Sequence, residues 1–242
     1  MEIRTPLGLL RRFALSSRHT DAFRSRVNCF ITQSFVQSYL ATPRNSEESR
    51  LLRSGMKVYS QNEEDGIIAE IFRRIGTASR RFVEIGAADG LENNTVWLLL
   101  QGWSGAWIEG QPSLAEVIRK KFGHYIASGR LAVSNAFVTR DSIQELEQKG
   151  LFRDVDLFSL DIDGNDYHVI EGLKNLDARV VVVEYNAKFP PPHKFIMKYN
   201  PDMNSSWDAR YWLTSGFVSG HPRMLARVTS RLRWHSIALE RT

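Results

Sequence analysis

The stretch "SLDIDGNDYH" places Asp161, Asp163 and Asp166 within six residues, and "VEYN" further along adds Glu184 and Asn186. Oxygens of this kind can take a proton from a hydroxyl group. They can also hold a hard cation such as Mg²⁺, Mn²⁺ or Ca²⁺, whereas zinc favours nitrogen and sulfur. Asp161, Asp163, Glu184 and Asn186 are therefore candidate metal ligands, and Asp161 and Asp163 with His168 are candidate catalytic residues. Plainer roles compete with these. Asp166 reads as the N-cap of the helix that follows it. Asp161 can bond backbone amides at its strand end, and His168 falls where helix-surface histidines are common. His193, behind the three prolines of "FPPPH", is a further base candidate on a stiff loop.

A second constellation lies in "FVEIGAADGLENNT", which reads as a buried strand, a glycine turn and a helix. A dinucleotide turn has the pattern G-x-G-x-x-G, with the pyrophosphate resting on bare helix-terminal amides. Here Gly86 and Gly90 are separated by "AAD", so Asp89 would face the phosphates. A unit charge ~5 Å from a phosphate costs roughly 3 kcal/mol at an effective dielectric of ~20. The turn itself carries no base to relieve that cost. S-adenosylmethionine suits such a rim better, because it has no phosphate and carries a sulfonium and an ammonium group. Glu84 and Asp89 would orient its methionine end, and Gly86 would permit close approach. Glu109, at the end of the next strand, would accept the ribose hydroxyl protons. Gly90 and Asn135 complete the candidate cofactor-binding set. The alternatives are that Glu84 only caps the turn and that Glu109 is a solvated strand end. Asn93 and Asn94 most simply start the second helix, with a cofactor contact as the second reading.

These residues need a scaffold, and residues 57–186 supply its pattern. In "YSQNEEDGIIAEIFRRIG", Ser60 and Glu63 stand at capping-box spacing. Ile67, Ile68, Ile71, Phe72 and Ile75 then form one apolar stripe, ended by Gly76. Strand-like "RFVEIG", "GAWIEG", "RLAVSNAFV", "VDLFSLDID" and "RVVVVEYN" alternate with helix-like "NTVWLLLQGW", "SLAEVIRKKFG", "SIQELEQKG" and "YHVIEGLKNL". Gly102 and Gly123 read as helix stops. Four consecutive valines have no polar face, so the alternation predicts an α/β domain whose parallel sheet is covered on both sides. Each strand ends in a polar or acidic residue, where ligands of such sheets bind. Trp97, Trp103 and Trp107 read as packing residues. After "KFPPPHKF" the alternation fades into an arginine- and aromatic-rich stretch in which no second pair of strands is legible. Trp207 and Trp212 within it are candidates for a sugar-stacking platform. The predicted organisation is an N-terminal helical extension (1–56), an α/β core (57–200) and a divergent basic C-terminal segment (201–242).

The blocks "YSQNEEDGII", "FVEIGAADGLENNTVWLLLQGWSGAWIEG", "LFSLDIDGNDY" and "VVVVEYN", in that order, resemble the FkbM-type branch of class I S-adenosylmethionine-dependent methyltransferases over about residues 57–190. The resemblance implies a Rossmann-like three-layer sandwich and O-methylation of a sugar, glycan or polyketide-type hydroxyl. Its E-x-G-x-x-x-G pattern falls on Glu84, Gly86 and Gly90, and its ribose acid on Glu109. The motif after the fourth strand falls on Asp161 and Asp163, and the fifth-strand acid on Glu184. The family usually closes its sheet with an antiparallel hairpin whose last strand lies beside strand five, and the C-terminal stretch departs from that pattern. Two other readings follow. One is a methyltransferase-like binding module without activity. The other treats "DID" as the D-x-D motif of a metal-dependent nucleotide-sugar glycosyltransferase.

Charge distribution narrows the partners. Residues 61–190 hold 20 acidic and 14 basic side chains, a net −6, while the two flanks together carry +11. A nucleic-acid binder concentrates bases on its working segment, so nucleic acid is not expected as a partner. The basic flanks could touch an anionic surface or remain solvated. No apolar run approaches the ~18–20 residues of a membrane span. The opening residues lack an apolar core followed by a small-residue cleavage site. Cys29 is the single cysteine, which excludes an intrachain disulfide and leads to the expectation of a cytoplasmic protein.

Overall fold

The computed structural model describes residues 50–185, 198–201, 223–230 and 233–238, together with isolated positions between 27 and 42. Asn186, His193, Trp207 and Trp212 lie outside the described residues. The chain divides into two units, Met1–Arg53 and Ser54–Thr242. In the first, Val27, Phe30, Ile31 and Ser34 are helical and exposed.

The second unit begins with α1 (Glu64–Ile75), which buries Ile67, Ile68, Ile71 and Phe72 and ends at Gly76. Its start differs from the predicted capping box. Glu63 adopts a left-handed conformation and caps nothing through its side chain. Ser60 instead pairs with Asp65: Ser60 Oγ accepts the Asp65 N–H at 3.1 Å, and Asp65 Oδ2 accepts the Ser60 N–H at 2.9 Å. The same oxygen gathers the amides of Val58 and Tyr59. One carboxylate thus folds the preceding loop back over the helix, which sequence spacing alone does not reveal.

Strands and helices then alternate. They are β1 (Arg81–Ile85), α2 (Val96–Leu100), β2 (Ser104–Glu109), α3 (Pro112–Lys121), α4 (Gly123–Ala127), β3 (Leu131–Asn135), α5 (Ser142–Gln148), β4 (Val155–Leu160), α6 (Asp166–Gly172) and β5 (Ala178–Tyr185). Gly123 does not stop α3 but opens α4. The break falls at Phe122, whose ring packs edge-on against Trp107 at 4.8 Å.

The sheet order is β3-β2-β1-β4-β5-β6-β7, with β1 to β5 parallel. This is a Rossmann-like arrangement whose strand order switches direction between β1 and β4, so a crevice opens at the carboxyl ends of those two parallel strands. Both faces are covered, as the apolar runs require. Val83, Ile85, Phe158 and Leu160 join Ile143 of α5 and Val169 of α6 in one core cluster. Alternate residues of β1 point the other way, and Phe82 lies 6.5 Å from Trp107. Buried Trp103 and Trp107 fill that layer.

The C-terminal stretch holds a strand pair that the sequence did not disclose. Strands β6 (Arg223–Ser230) and β7 (Arg233–Ala238) extend the sheet, β6 antiparallel to β5 and β7 antiparallel to β6. Arginines interleaved with Met224, Ala226 and Val228 hide the alternation, and an antiparallel pair needs only one apolar face. It is the first strand of the pair, not the last, that lies beside β5.

Candidate active site

Two clefts open at the carboxyl ends of the strands and meet at Gly86, Ala88 and Asp161. The larger, of about 620 Å³, is walled by Glu109, Gly110, Gln111, Phe137, Ile162 and Asp163 among others. The smaller, of about 120 Å³, is walled by Gln61, Asn62, Glu64, Glu84, Asp89, Glu92, Asn93, Asn94 and Glu184. Among the described lining residues of both clefts there is no lysine or arginine. The loop folded back by Asp65 brings Gln61 and Asn62 to the rim.

Gly86 stands at the junction with φ +87, and its N–H bonds the Ile108 carbonyl at 2.9 Å. A Cβ there would lie 1.7 Å from the Asp161 carbonyl oxygen. Glycine is therefore demanded by the approach of the β4 loop, where the sequence suggested room for a cofactor. Gly90 likewise makes room for protein, since a Cβ would press on the rings of Phe122 and Trp107. Between them Ala88 is held at φ 48, a conformation costly for any residue with a side chain. Its N–H bonds Glu109 Oε2 at 2.8 Å, and the other Glu109 oxygen accepts the Gln111 N–H at 2.7 Å. Glu109 is 6% exposed and lies in the wall of the larger cleft. Each carboxylate oxygen keeps a further lone pair for a ligand hydroxyl.

Glu84 is more deeply enclosed, at 2% exposure. It accepts the Asn94 N–H at 2.8 Å, the Thr95 hydroxyl at 2.5 Å and the Ser159 hydroxyl at 3.3 Å. Trp107 Nε1 donates to Thr95, and Asn94 Nδ2 donates to Ser159, so both hydroxyl protons are directed at Glu84. Burial still outweighs these donors and raises its pKa to about 7. Glu84 therefore anchors the start of α2 and also forms part of the smaller cleft.

Asp161, Asp166 and Glu184 converge, with one oxygen of each lying within 4.8 Å of the others. Asp161 and Glu184 share a hydrogen bond, and burial followed by repulsion from neighbouring carboxylates, Asp166 and Asp163 in both cases, drives both pKa values upward. Asp166 does not act as the predicted helix N-cap. Its carboxylate turns back to accept the N–H groups of Ile162 and Gly164, tying down the loop after β4. Burial raises its pKa to about 6. Asp163 stands outside this trio, in a left-handed conformation at φ 56 on the wall of the larger cleft. The predicted ligand set thus loses Asp163 as a partner of Asp161 and gains Asp166, because the turn at Asp163 and Gly164 separates the two.

Of three other candidates, Asp89 lines the smaller cleft with its charge already paired, and Asn135 and His168 line neither cleft. Asp89 is half out in solvent and forms an ion pair with Lys121 Nζ at 2.8 Å. This is the base that the turn's own sequence lacks, delivered from α3. Asn135 donates to the carbonyls of Glu109 and Gly110, and its side chain clips strand ends together outside both cleft walls. His168 packs beside Tyr167 and Tyr199 on α6 and lines neither cleft.

No protein-family model and no curated protein matches the chain. Solved structures similar to it include a putative O-methyltransferase from Klebsiella pneumoniae, at 15% identity and a TM-score of 0.44, covering 68% of this chain and 77% of that one. An O-methyltransferase from Bacillus cereus in complex with SAH matches at 18% identity and a TM-score of 0.36, over 48% of this chain and 52% of that one. The pyocyanin biosynthetic protein PhzM matches at 23% identity and a TM-score of 0.36, over 51% and 38% of the respective chains. The chain thus spans about half the length of the Bacillus cereus protein and less of PhzM.

Proposed function

We propose that this chain is an S-adenosylmethionine-dependent methyltransferase that transfers a methyl group to a hydroxyl of a sugar, glycan or polyketide-type acceptor, in keeping with its resemblance to the FkbM-type branch. One observation carries the reading: two clefts joined at the switch point of the sheet are walled by carboxylates without a described lysine or arginine in the lining. Such walls favour a cationic sulfonium ligand over a pyrophosphate. The larger cleft suits the nucleoside, with Glu109 facing the ribose hydroxyls. The smaller suits the amino-acid end, with Glu84 and Asp161 near its ammonium group.

The converging pair Asp161 and Glu184 is placed to accept the acceptor hydroxyl's proton as the methyl group moves. Holding that oxygen in line with the methyl–sulfur bond supplies the larger part of the acceleration. The oxygen-only trio Asp161, Asp166 and Glu184 also fits a hard divalent cation such as Mg²⁺, which would polarise the same hydroxyl. The separation of Asp163 from that trio weighs against the D-x-D glycosyltransferase reading. The β6–β7 pair weighs against the inactive-module reading, since the sheet does continue past β5, although with the first strand of the pair beside it. Titration calorimetry with S-adenosylmethionine and S-adenosylhomocysteine tests the reading. Binding near one equivalent is expected, and folded protein giving neither heat nor a thermal shift at millimolar ligand rejects it.

A further inference from the structure

Asn93 poses a problem that no bond among the described residues solves. It is 7% exposed and forms part of the smaller cleft's wall beside Glu84, Asp161 and Glu184. Its Oδ1 accepts the Val96 N–H at 3.2 Å at the start of α2, which assigns the oxygen and identifies the other terminal atom as the NH₂ nitrogen. Among the described residues Nδ2 has no hydrogen-bond partner. Buried donors are almost always paired, so one left open at a cleft calls for a ligand acceptor.

We infer that Asn93 Nδ2 donates to the carboxylate of the cofactor's amino-acid end, an inference that rests on the methyltransferase reading above. An α-amino acid brings one cationic and one anionic group a few bonds apart. The acids of the smaller cleft serve the ammonium group and repel the carboxylate, which needs an N–H donor. Arginine and lysine are missing from the described lining, and the Asn94 side-chain amide is committed to Ser159. Asn93 is the deeply buried donor that remains. Its orientation is fixed beforehand by Val96, so little side-chain freedom is lost on binding. The residue thereby discriminates between ligands with and without the carboxylate.

The test uses the full chain and two probes: S-adenosylhomocysteine and its decarboxylated counterpart, S-adenosylthiopropylamine, which keeps the amine. Asn93→Ser retains an oxygen for the Val96 N–H and removes the Nδ2 amide, leaving only a shorter hydroxyl. Calorimetry should show S-adenosylhomocysteine binding weakened roughly tenfold or more by this change, with the decarboxylated probe shifted by no more than about twofold. Equal weakening of both probes, or of neither, overturns the inference while leaving the cofactor assignment standing. Failure of the unaltered protein to bind either probe removes both. A measurement that does not depend on the variant folding is the side-chain amide resonance of Asn93 in unaltered ¹⁵N-labelled protein. It should move on adding S-adenosylhomocysteine and stay in place with the decarboxylated probe. The same response to both again overturns the inference.

Discussion

Buried carboxylates occur at both ends of the one sheet, and the two ends treat them in opposite ways. At the amino end Asp156 is fully buried and fully answered. It accepts the N–H groups of Ala78 and Arg80 and forms an ion pair with Arg179 at 3.0 Å. That arginine is itself held by the carbonyls of Ile75 and Gly76. At the carboxyl end lie Glu84, Asp161, Asp166 and Glu184; burial pushes all four pKa values up, and repulsion from neighbouring acids adds to it for the last three. Asp156, which serves the fold, is given its counter-charge. Acids gathered without one cost stability, and such groups cluster where a ligand or a reaction needs them.

The largest effect should come from breaking the paired end. Asp156→Ala strands Arg179 and two amides, and denaturant titration should register a loss of about 3–4 kcal/mol. Affinity for S-adenosylhomocysteine in the protein that remains folded should not change. A loss of binding instead would mean that the two ends are not independent.

Glu84 sharpens the contrast through pH. Its carboxyl has a folded-state pKa of about 7 against 4.5 when free, so the folded state holds the proton more tightly. The stability it contributes is present below about 4.5 and is lost as pH rises through about 7, by at most about 3 kcal/mol. Asp161, Asp166 and Glu184 push in the same direction. Unfolding measured from pH 4.5 to 8 should show this decline, and Glu84→Gln should flatten part of it. An unaltered slope in that variant would mean that its hydrogen-bond donors outweigh burial.

Glu109→Gln should weaken S-adenosylhomocysteine binding by about tenfold, or ~1.4 kcal/mol, because the ribose loses a charged acceptor. Global stability should change less, since the amide oxygen still accepts one of the two backbone N–H groups. The smallest change belongs to Lys121→Met. The exposed pair with Asp89 contributes about 0.5 kcal/mol, and binding should scarcely move. A large loss of affinity there would mean that Asp89 must be paired for the smaller cleft to bind its ligand.

How far the site could be read in advance differs residue by residue. Glu84, Gly86, Glu109 and Asp161 could be found because each stands at the end of an apolar run, and strand ends in a parallel sheet face the crevice. Lys121 could not, because it reaches Asp89 across 32 positions of chain. Asp166 was misjudged because its neighbours suggested a helix cap, while the turn at Gly164 directs its carboxylate backward. His168 was overrated because sequence places it near the acids while α6 carries its ring toward Tyr199. For Asn93 a cap and a contact look alike in sequence, and the unpaired nitrogen is visible only in the structure.

By itself, the order of apolar runs and glycines determined the five parallel strands and the end of the sheet where ligand chemistry belongs, since those follow from local periodicity and burial. Only the tertiary structure decided which acids share a proton, which acid has a lysine beside it and which amide lacks a partner. Those outcomes depend on distances of a few ångströms between segments far apart in the chain. It also decided that the arginine-rich C-terminal stretch adds two strands, because antiparallel pairing beside β5 is set by backbone hydrogen bonds that its composition does not announce.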